Sequence, residues 1–300
     1  MPQPTATSWF LLILLGLIWG GSFLGVELAL TGFSPLWVAD IRLVLAAVVL
    51  VGASYAMGHG LPPVKTPVGR RIWLHCLGMA LLSNAIPFVL LSWGQTQVTA
   101  GFAGITMAVV PLLVLPLAHF LVPGEVMSRK KLFGFIVGFA GVVLLIGPSS
   151  ILEAGQGELD GLARIACIGA AACYAFGSIV TRRAPPGPSI AFGAAALILA
   201  AVILTPVAFF VSGLPEAAST KAWAGVLYLG LFPTALATIL LVFVIKTAGP
   251  SFMSMVNYQV PVWAIILGMI FLGESLPSQF VGALVLILLG LFIAQYRRRR

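Results

Sequence analysis

Charged side chains are rare in this sequence. Asp, Glu, Lys and Arg together make up 8% of its 300 residues, whereas hydrophobic residues make up 60%. A soluble domain usually has about 25% charged residues. The composition therefore excludes an ordinary soluble protein, and the net charge of +8 is not a nucleic-acid signal. It favours a chain that lies almost wholly inside a membrane.

Reactive and metal-binding motifs are also missing. The cysteines Cys76, Cys167 and Cys173 lie in apolar stretches, at a spacing that fits neither a metal site nor a disulfide framework. The sequence has no HExxH or GxSxG motif and no cluster of carboxylates in its apolar stretches. We therefore expect no catalytic residue, no metal and no cofactor, and an intramembrane enzyme is disfavoured.

Long apolar runs dominate what is present. Crossing a bilayer takes about 20 residues, and ten runs are long enough; they lie at roughly 8–30, 36–57, 72–92, 97–121, 130–147, 161–181, 189–212, 222–245, 249–272 and 277–296. Lys and Arg gather after the even-numbered runs, as in 129–131 and 297–300, while most acidic residues lie in the other loops. This bias predicts that both termini are cytoplasmic.

Residues 100–147 and 248–296 look like two copies of one unit. The matched residues are Pro111 with Pro261, Gly124-Glu125 with Gly273-Glu274, and Gly134 with Gly282. Each copy ends a set of five runs, and because five is odd the second set enters the membrane from the opposite side. We predict an all-α integral membrane fold of ten transmembrane helices in two inverted five-helix repeats, 1–148 and 161–300, joined by an external connector at 149–160.

The middle of the predicted membrane is polar and aromatic but uncharged. The candidate substrate-binding residues at this depth are Trp19, Ser22, Asn84, Met107, Tyr174, Ser178, Thr234, Asn257, Tyr258, Gln259 and Trp263. A buried amide without a partner costs several kcal/mol in hydrocarbon, so the amide side chains must face the bundle interior. Hydrogen bonds between helices explain them, and so does a water-filled substrate cavity.

The positions of four prolines favour the second interpretation, a substrate cavity. Pro87 and Pro233 lie in the middle of the third and eighth runs, and Pro111 and Pro261 in the fourth and ninth. A proline inside a helix removes a hydrogen bond and usually kinks the helix. Kinks at matching places in two halves are typical of a transporter binding site.

No ionisable residue lies near the centre of a run. Glu27, Asp40 and Arg42 lie in outer parts of the first two helices, and His75 lies near the inner end of the third. Side chains near helix ends reach the membrane surface, so we expect structural roles for them, with Glu27 and Arg42 forming a pair. Because no buried carboxylate offers an obvious carrier for protons or sodium, facilitated diffusion or weak coupling is at least as well supported as strong proton antiport.

Several motifs carry a family resemblance. They are Leu17–Phe23, Ala39–Leu43, Pro111 with Gly124-Glu125, and Val260–Val262 with Gly273-Glu274. With them the chain resembles the drug/metabolite transporter superfamily, in particular its ten-helix EamA-type branch, over essentially its whole length. The YddG-like exporters of aromatic amino acids are one candidate group within that branch. The resemblance implies a cavity lined by helices 1, 3, 4, 6, 8 and 9, helices 5 and 10 outside, and export of small metabolites.

The expected function is therefore secondary transport. The chain would export small metabolites, chiefly aromatic or apolar amino acids, across the bacterial inner membrane by alternating access. The alternatives are another metabolite class, such as nucleotide sugars or drugs, and a membrane subunit that does not transport. The expected partners are the substrate and the lipid bilayer, with no nucleic acid; a monomer suffices, and homo-oligomerisation is left open.

Overall fold

The protein is all-helical in the part that the structure describes. The computed structural model describes residues 5–122, 124–146, 159–215, 217–275 and 277–295, and these ranges contain no strand. Most of the predicted connector, 149–158, lies outside the described residues, as do Arg297–Arg300. The long helices of the described ranges are α1 Ala6–Leu30, α2 Pro35–Ala56, α3 Pro67–Gly94, α4 Ala100–Leu121, α5 Arg129–Ile146, α6 Leu159–Arg182, α7 Ser189–Ser212, α8 Thr220–Ala248, α9 Val256–Leu272 and α10 Ser278–Gln295.

Seven of these helices are long and apolar enough to cross a membrane, namely α1 to α4 and α6 to α8. The helices α9 and α10 are apolar but shorter, and α5 begins with Arg129-Lys130-Lys131. The fold is therefore that of an integral membrane protein. Its long helices follow the ten apolar runs, with boundaries that differ by a few residues; α3, for example, begins at Pro67.

Short polar residues determine where several helices begin. The side chains of Ser34, Thr99 and Ser219 each accept a hydrogen bond from a backbone N–H in the first turn of the helix that follows. Pro35 takes the first helical position, where its missing N–H is harmless. At the other end of α9, Gly273 adopts the left-handed conformation that ends many helices (φ 67°).

Glycine lets several helices approach backbone to backbone. A Cβ at Gly290 of α10 would meet the backbone nitrogen of Gly138 in α5. On α1, a Cβ at Gly20 would meet the Cβ of Trp263 in α9, and one at Gly25 would lie 2.8 Å from the ring of Tyr228 in α8. Small residues therefore pair α5 with α10 and hold α1 between α8 and α9.

Two helices carry matching π-helical segments. Ala80–Ala85 interrupts α3 and Gly230–Leu236 interrupts α8. In each segment a polar side chain bonds the carbonyl five residues earlier: Asn84 Nδ2 donates to Met79 at 3.0 Å, and the Thr234 hydroxyl donates to Leu229 at 2.8 Å. π-Helical turns often mark functional sites, and Asn84 and Thr234 both line one cavity.

The other irregular segments lie within α4 and just before α9. The α4 backbone forms a turn at Met107-Ala108, and Met107 is the residue whose carbonyl would otherwise bond the missing N–H of Pro111. Before α9, the short helix Pro250–Met253 is followed by a turn at 254–255, upstream of Pro261. Pro111 therefore lies close after an interruption of α4, whereas Pro261 lies inside the continuous helix α9.

Candidate functional site

A cavity of about 430 Å³ lies in the middle of the bundle. It is lined by Trp19, Ser22, Phe23, Arg42, Met79, Ser83, Asn84, Phe88, Leu91, Met107, Val110, Tyr174, Ser178, Pro233, Thr234, Thr238, Leu241, Asn257 and Val260. These residues come from the six helices that the family resemblance implies and also from α2, which contributes Arg42. The helices α5 and α10 contribute none, in agreement with their expected place outside the cavity.

Arg42 is the charged side chain of this lining, which contains no Asp or Glu among the described residues. Its side chain is buried, with 8% of the residue exposed. The expectation of an uncharged centre was therefore wrong. Arg42 lies in the first third of α2, but its long side chain brings the guanidinium to Thr234 in the middle of α8.

Two contacts hold the guanidinium in place. Arg42 Nε donates a hydrogen bond of 2.7 Å to the Thr234 hydroxyl, which itself donates to Leu229. The ring of Phe88 lies under the same group, with its centroid 3.7 Å from Arg42 Cζ, which is a cation–π contact. A pair between Arg42 and Glu27 does not form, because Glu27 instead accepts a bond of 3.4 Å from Gln95.

Most of the candidate residues predicted from the sequence line the cavity. They are Trp19, Ser22, Asn84, Met107, Tyr174, Ser178, Thr234 and Asn257. The Trp19 indole donates a hydrogen bond of 3.0 Å to the carbonyl of Pro233, so the π-helical segment of α8 positions its ring. Among the four prolines, Pro233 lies in the lining, whereas Pro87, Pro111 and Pro261 do not.

Tyr258, Gln259 and Trp263 lie outside this lining. Gln259 and Trp263 face α1, where a Cβ added at Gly16 or Gly20 would touch them. On a helix, residues four apart share a face, so Gln259 and Trp263 point the same way while Asn257 and Val260 point to the cavity. The sequence predicted where these residues lie along the helix, but it could not predict which face of α9 turns toward the cavity.

The polar side chains of the lining differ in whether they already form hydrogen bonds to the protein. The hydroxyls of Ser22, Ser178 and Thr238 donate to carbonyls of their own helices at 2.7, 2.7 and 2.6 Å. In the described part of the chain, the Asn257 amide and the Tyr174 hydroxyl make no such bond to protein. The Asn257 amide and the Tyr174 hydroxyl are therefore available to bind water or a ligand.

One end of the bundle, here called the rim, holds residues 31–34 and 95–99 and is tightly bonded. Glu274, after α9, accepts hydrogen bonds from the backbone N–H groups of Ala100 and Gly101 at 2.7 and 2.9 Å. Gln95 Nε2 donates to the carbonyl of Phe23 at 2.9 Å. These bonds tie α4 to α9 and α3 to α1 at the rim.

The opposite end, here called the base, contains Ala6 and Arg182 and is more open. A second cavity of about 530 Å³ shares Met79, Thr238 and Leu241 with the central one. It continues to Lys246 and to the α6–α7 loop. The central cavity therefore adjoins the second cavity on the side of the base.

Glu125 and His75 lie at the base, away from the central cavity. Glu125 accepts a bond of 2.8 Å from Arg182 and lies 3.6 Å from Lys131 Nζ. The hydrogen bond and positive charge of Arg182 lower the pKa of Glu125 below its usual value of 4.5. The His75 ring is bonded to the carbonyl of Arg71 at 2.8 Å and is not part of the cavity lining.

Apolar helices around a central cavity define a polytopic membrane protein with an internal cavity large enough for a small molecule. The model of the EamA-like transporter family matches residues 7–147 and 161–296. The chain therefore belongs to the EamA-like transporter family, within the drug/metabolite transporter superfamily.

Curated relatives agree with this family. The chain is 26% identical to an uncharacterised inner membrane transporter, YedA of Escherichia coli K12, over 94% of this chain and 90% of that protein. It is 26% identical to the protein PecM of Dickeya dadantii, over 93% and 89%. It is 27% identical to an S-adenosylmethionine/S-adenosylhomocysteine transporter of Chlamydia trachomatis, over 94% and 86%.

A solved crystal structure shares the fold. Its TM-score is 0.68 at 19% sequence identity, with 96% of this chain and 97% of that chain covered. The family match and the curated relatives identify a multi-pass protein of the bacterial inner membrane, and they support membrane transport of small molecules.

Proposed function

We propose that this transporter exports amino acids and related zwitterionic metabolites with apolar or aromatic side chains. The central cavity is the observation that carries the proposal. Its volume of about 430 Å³ lies within the range of about 300–1,000 Å³ that is usual for small-molecule sites. Its lining combines a largely apolar surface with a few polar groups, which is the pattern such a substrate needs.

The composition of the lining favours a zwitterion over a cationic drug. Trp19, Phe23, Phe88 and Tyr174 offer surfaces for an apolar or aromatic side chain. The described lining contains no carboxylate to neutralise a drug cation. An amino acid, in contrast, carries its own counter-charge and needs only local partners for its two charged groups.

Ten membrane spans in two inverted repeats are part of the proposal. Residues 1–148 and 161–300 would form the repeats, the connector 149–160 would lie outside, and both termini would be cytoplasmic. The matching π-helical segments of α3 and α8 support the repeat, and the Lys and Arg distribution supports the orientation. The base then faces the cytoplasm, where an export substrate enters. One chain encloses the whole cavity, so a monomer suffices.

Alternating access would exchange the two ends of the bundle. Glu274 closes the rim in the present state, while its sequence counterpart Glu125 lies in an exposed ion-pair cluster at the base. In the outward-open state, we propose, Glu274 releases α4 and Glu125 takes the corresponding closing position at the base. The Gly-Glu motif would then close the bundle once at each end, with Glu274 at the rim and Glu125 at the base.

The other substrate classes fit the cavity less well. The diphosphate of a nucleotide sugar calls for several basic groups, and the described lining offers Arg42. The chlamydial relative is named for S-adenosylmethionine and S-adenosylhomocysteine, which are amino-acid derivatives and belong in the same test. A membrane subunit that does not transport would not need a central cavity that adjoins a second cavity at the base.

Uptake into proteoliposomes tests the proposal. Purified protein would be screened with labelled amino acids and S-adenosylmethionine, with and without an imposed pH gradient; empty liposomes and an Asn257→Leu variant serve as controls. We expect saturable uptake of a few apolar or aromatic amino acids, reduced by Asn257→Leu and little affected by the gradient. Folded protein that moves none of these compounds would refute the substrate class, and uptake driven by the gradient but lost in His75→Ala would establish proton coupling.

A further inference from the structure

Arg42 carries a charge that nothing in the described protein neutralises. The ion pairs of the described residues join Glu125 to Lys131 and Arg182, and Asp160 to Arg164. Asp40, two residues before Arg42, accepts instead from Thr205 of α7 at 2.8 Å. An unpaired buried charge is unfavourable and is therefore a candidate for a functional role.

Contacts with the protein fix the orientation of the Arg42 guanidinium, but only one of its three nitrogens forms a hydrogen bond to the described protein. Nε bonds Thr234 and the planar face rests on Phe88, which fixes the orientation of the group. The terminal nitrogens make no hydrogen bond to the described protein, although Arg42 lines the cavity. A guanidinium edge with free N–H groups matches a carboxylate, which can accept two parallel hydrogen bonds from it.

The surroundings suit the other end of a zwitterion. Asn84 uses its Nδ2 on Met79, so its amide oxygen is left as an acceptor in the lining. Asn257 has an unused amide as well. We propose that Arg42 binds the carboxylate of the transported molecule while amide oxygens accept from its ammonium group. This assignment rests on the proposed transport function and narrows it: substrates are monocarboxylates, and amines that lack a carboxylate are rejected.

A purely structural role for Arg42 predicts something different. If Arg42 only joined α2 to α8 through Thr234, its replacement would weaken the fold and affect every ligand equally. A carboxylate partner instead makes the effect depend on the ligand. The test therefore compares ligands that differ only in the carboxylate.

The experiment measures binding to the purified full-length chain in detergent, by ligand-induced thermal stabilisation. The probes are L-phenylalanine with L-phenylalaninamide, 3-phenylpropionate with 3-phenylpropionamide, and phenethylamine. For the wild-type protein we expect each acid to bind about 10- to 100-fold more tightly than its amide or the amine, because hydrogen bonds to charged groups are strong. Arg42→Gln should remove this preference and Arg42→Lys should keep part of it, whereas Arg183→Gln, at the end of α6 at the base, should change nothing.

The outcomes separate this assignment from the proposed function. Binding of 3-phenylpropionate without L-phenylalanine would support Arg42 as the carboxylate site and refute amino acids as substrates. Equal binding of L-phenylalanine and its amide would overturn the Arg42 assignment and leave amino-acid transport standing. Failure of both acids to bind would overturn the assignment too. If Arg42→Gln does not fold, the wild-type comparison of acids and amides still decides.

Discussion

Glu125 and Glu274 occupy matching places in the two sequence copies, yet their carboxylates have different partners. Each follows a glycine with positive φ, 84° at Gly124 and 67° at Gly273. Glu274 accepts from two backbone N–H groups at the start of α4. Glu125 is paired with exposed cations at the base, where the Arg182 side chain is 54% exposed.

This difference shows how a repeated motif can produce an asymmetric structure. Backbone N–H groups at a helix start have no partner within the helix, so a carboxylate there satisfies them and also benefits from the helix dipole. A solvent-exposed ion pair is weak by comparison. One end of the bundle is therefore held strongly and the other weakly, which is the asymmetry that alternating access requires in any one state.

Glu274→Ala should have the largest effect. It removes both acceptors from Ala100 and Gly101, and we expect a loss of about 2–3 kcal/mol in the free energy of unfolding, because orphaned N–H groups near a helix end are unfavourable. Thermal unfolding in detergent measures it. Glu125→Ala is the matched control, and an equal loss in that variant would show that the two motifs are equivalent after all.

Alanine at either glycine should have an intermediate and nearly equal effect. Gly124 and Gly273 share the left-handed backbone, and a Cβ at either meets no atom within 4 Å. Backbone strain alone then predicts a loss of about 1–2 kcal/mol for Gly124→Ala and for Gly273→Ala. Unfolding of the two variants side by side checks this, and a large difference between them would mean that the surroundings, not the turn, dominate.

Glu125→Gln should barely alter stability but should slow transport. Its partners are exposed, so we expect a change of no more than about 0.5 kcal/mol. If Glu125 closes the base in the outward-open state, the variant should nevertheless reduce the rate of uptake in proteoliposomes. Unchanged uptake would argue against the exchange of roles between the two glutamates.

The smallest expected effect is the pH dependence at the base. Arg182 lowers the pKa of Glu125 below 4.5, so the stabilisation by this pair is complete above the unfolded-state pKa and is lost as the pH falls through the folded-state pKa. Below about pH 4.5, where this loss begins, the difference in melting temperature between wild type and Glu125→Gln should shrink. A difference that grows on acidification would contradict the pairing.

The all-helical membrane fold could be predicted from the apolar runs, because the thickness of a bilayer sets the length of a spanning helix. That Asn84, Thr234 and Asn257 line a cavity could be predicted from polar side chains within apolar runs. The orientation of Gln259 and Trp263 could not, because it depends on the rotation of α9 against α1. The reach of Arg42 to Thr234 was missed for a related reason: a long side chain can carry its charge far from the depth of its Cα. The signal available in the sequence was Arg42 in α2 together with two threonines in the middle of α8, Thr234 and Thr238.

The central claim is that Glu274 closes the rim while the cavity is reached from the base. Side-specific labelling of the cavity tests this claim most directly. A Ser22→Cys variant would be made in a chain whose Cys76, Cys167 and Cys173 are alanine, then reconstituted and exposed to an impermeant maleimide from either side. Gln97→Cys at the rim and Gly187→Cys at the base are the controls for each side. We predict that Ser22→Cys reacts from the side of Gly187 and is protected from the side of Gln97, and that adding Glu274→Ala opens the second route. Labelling from the Gln97 side that is equally fast with and without Glu274 would contradict a rim closed by that residue.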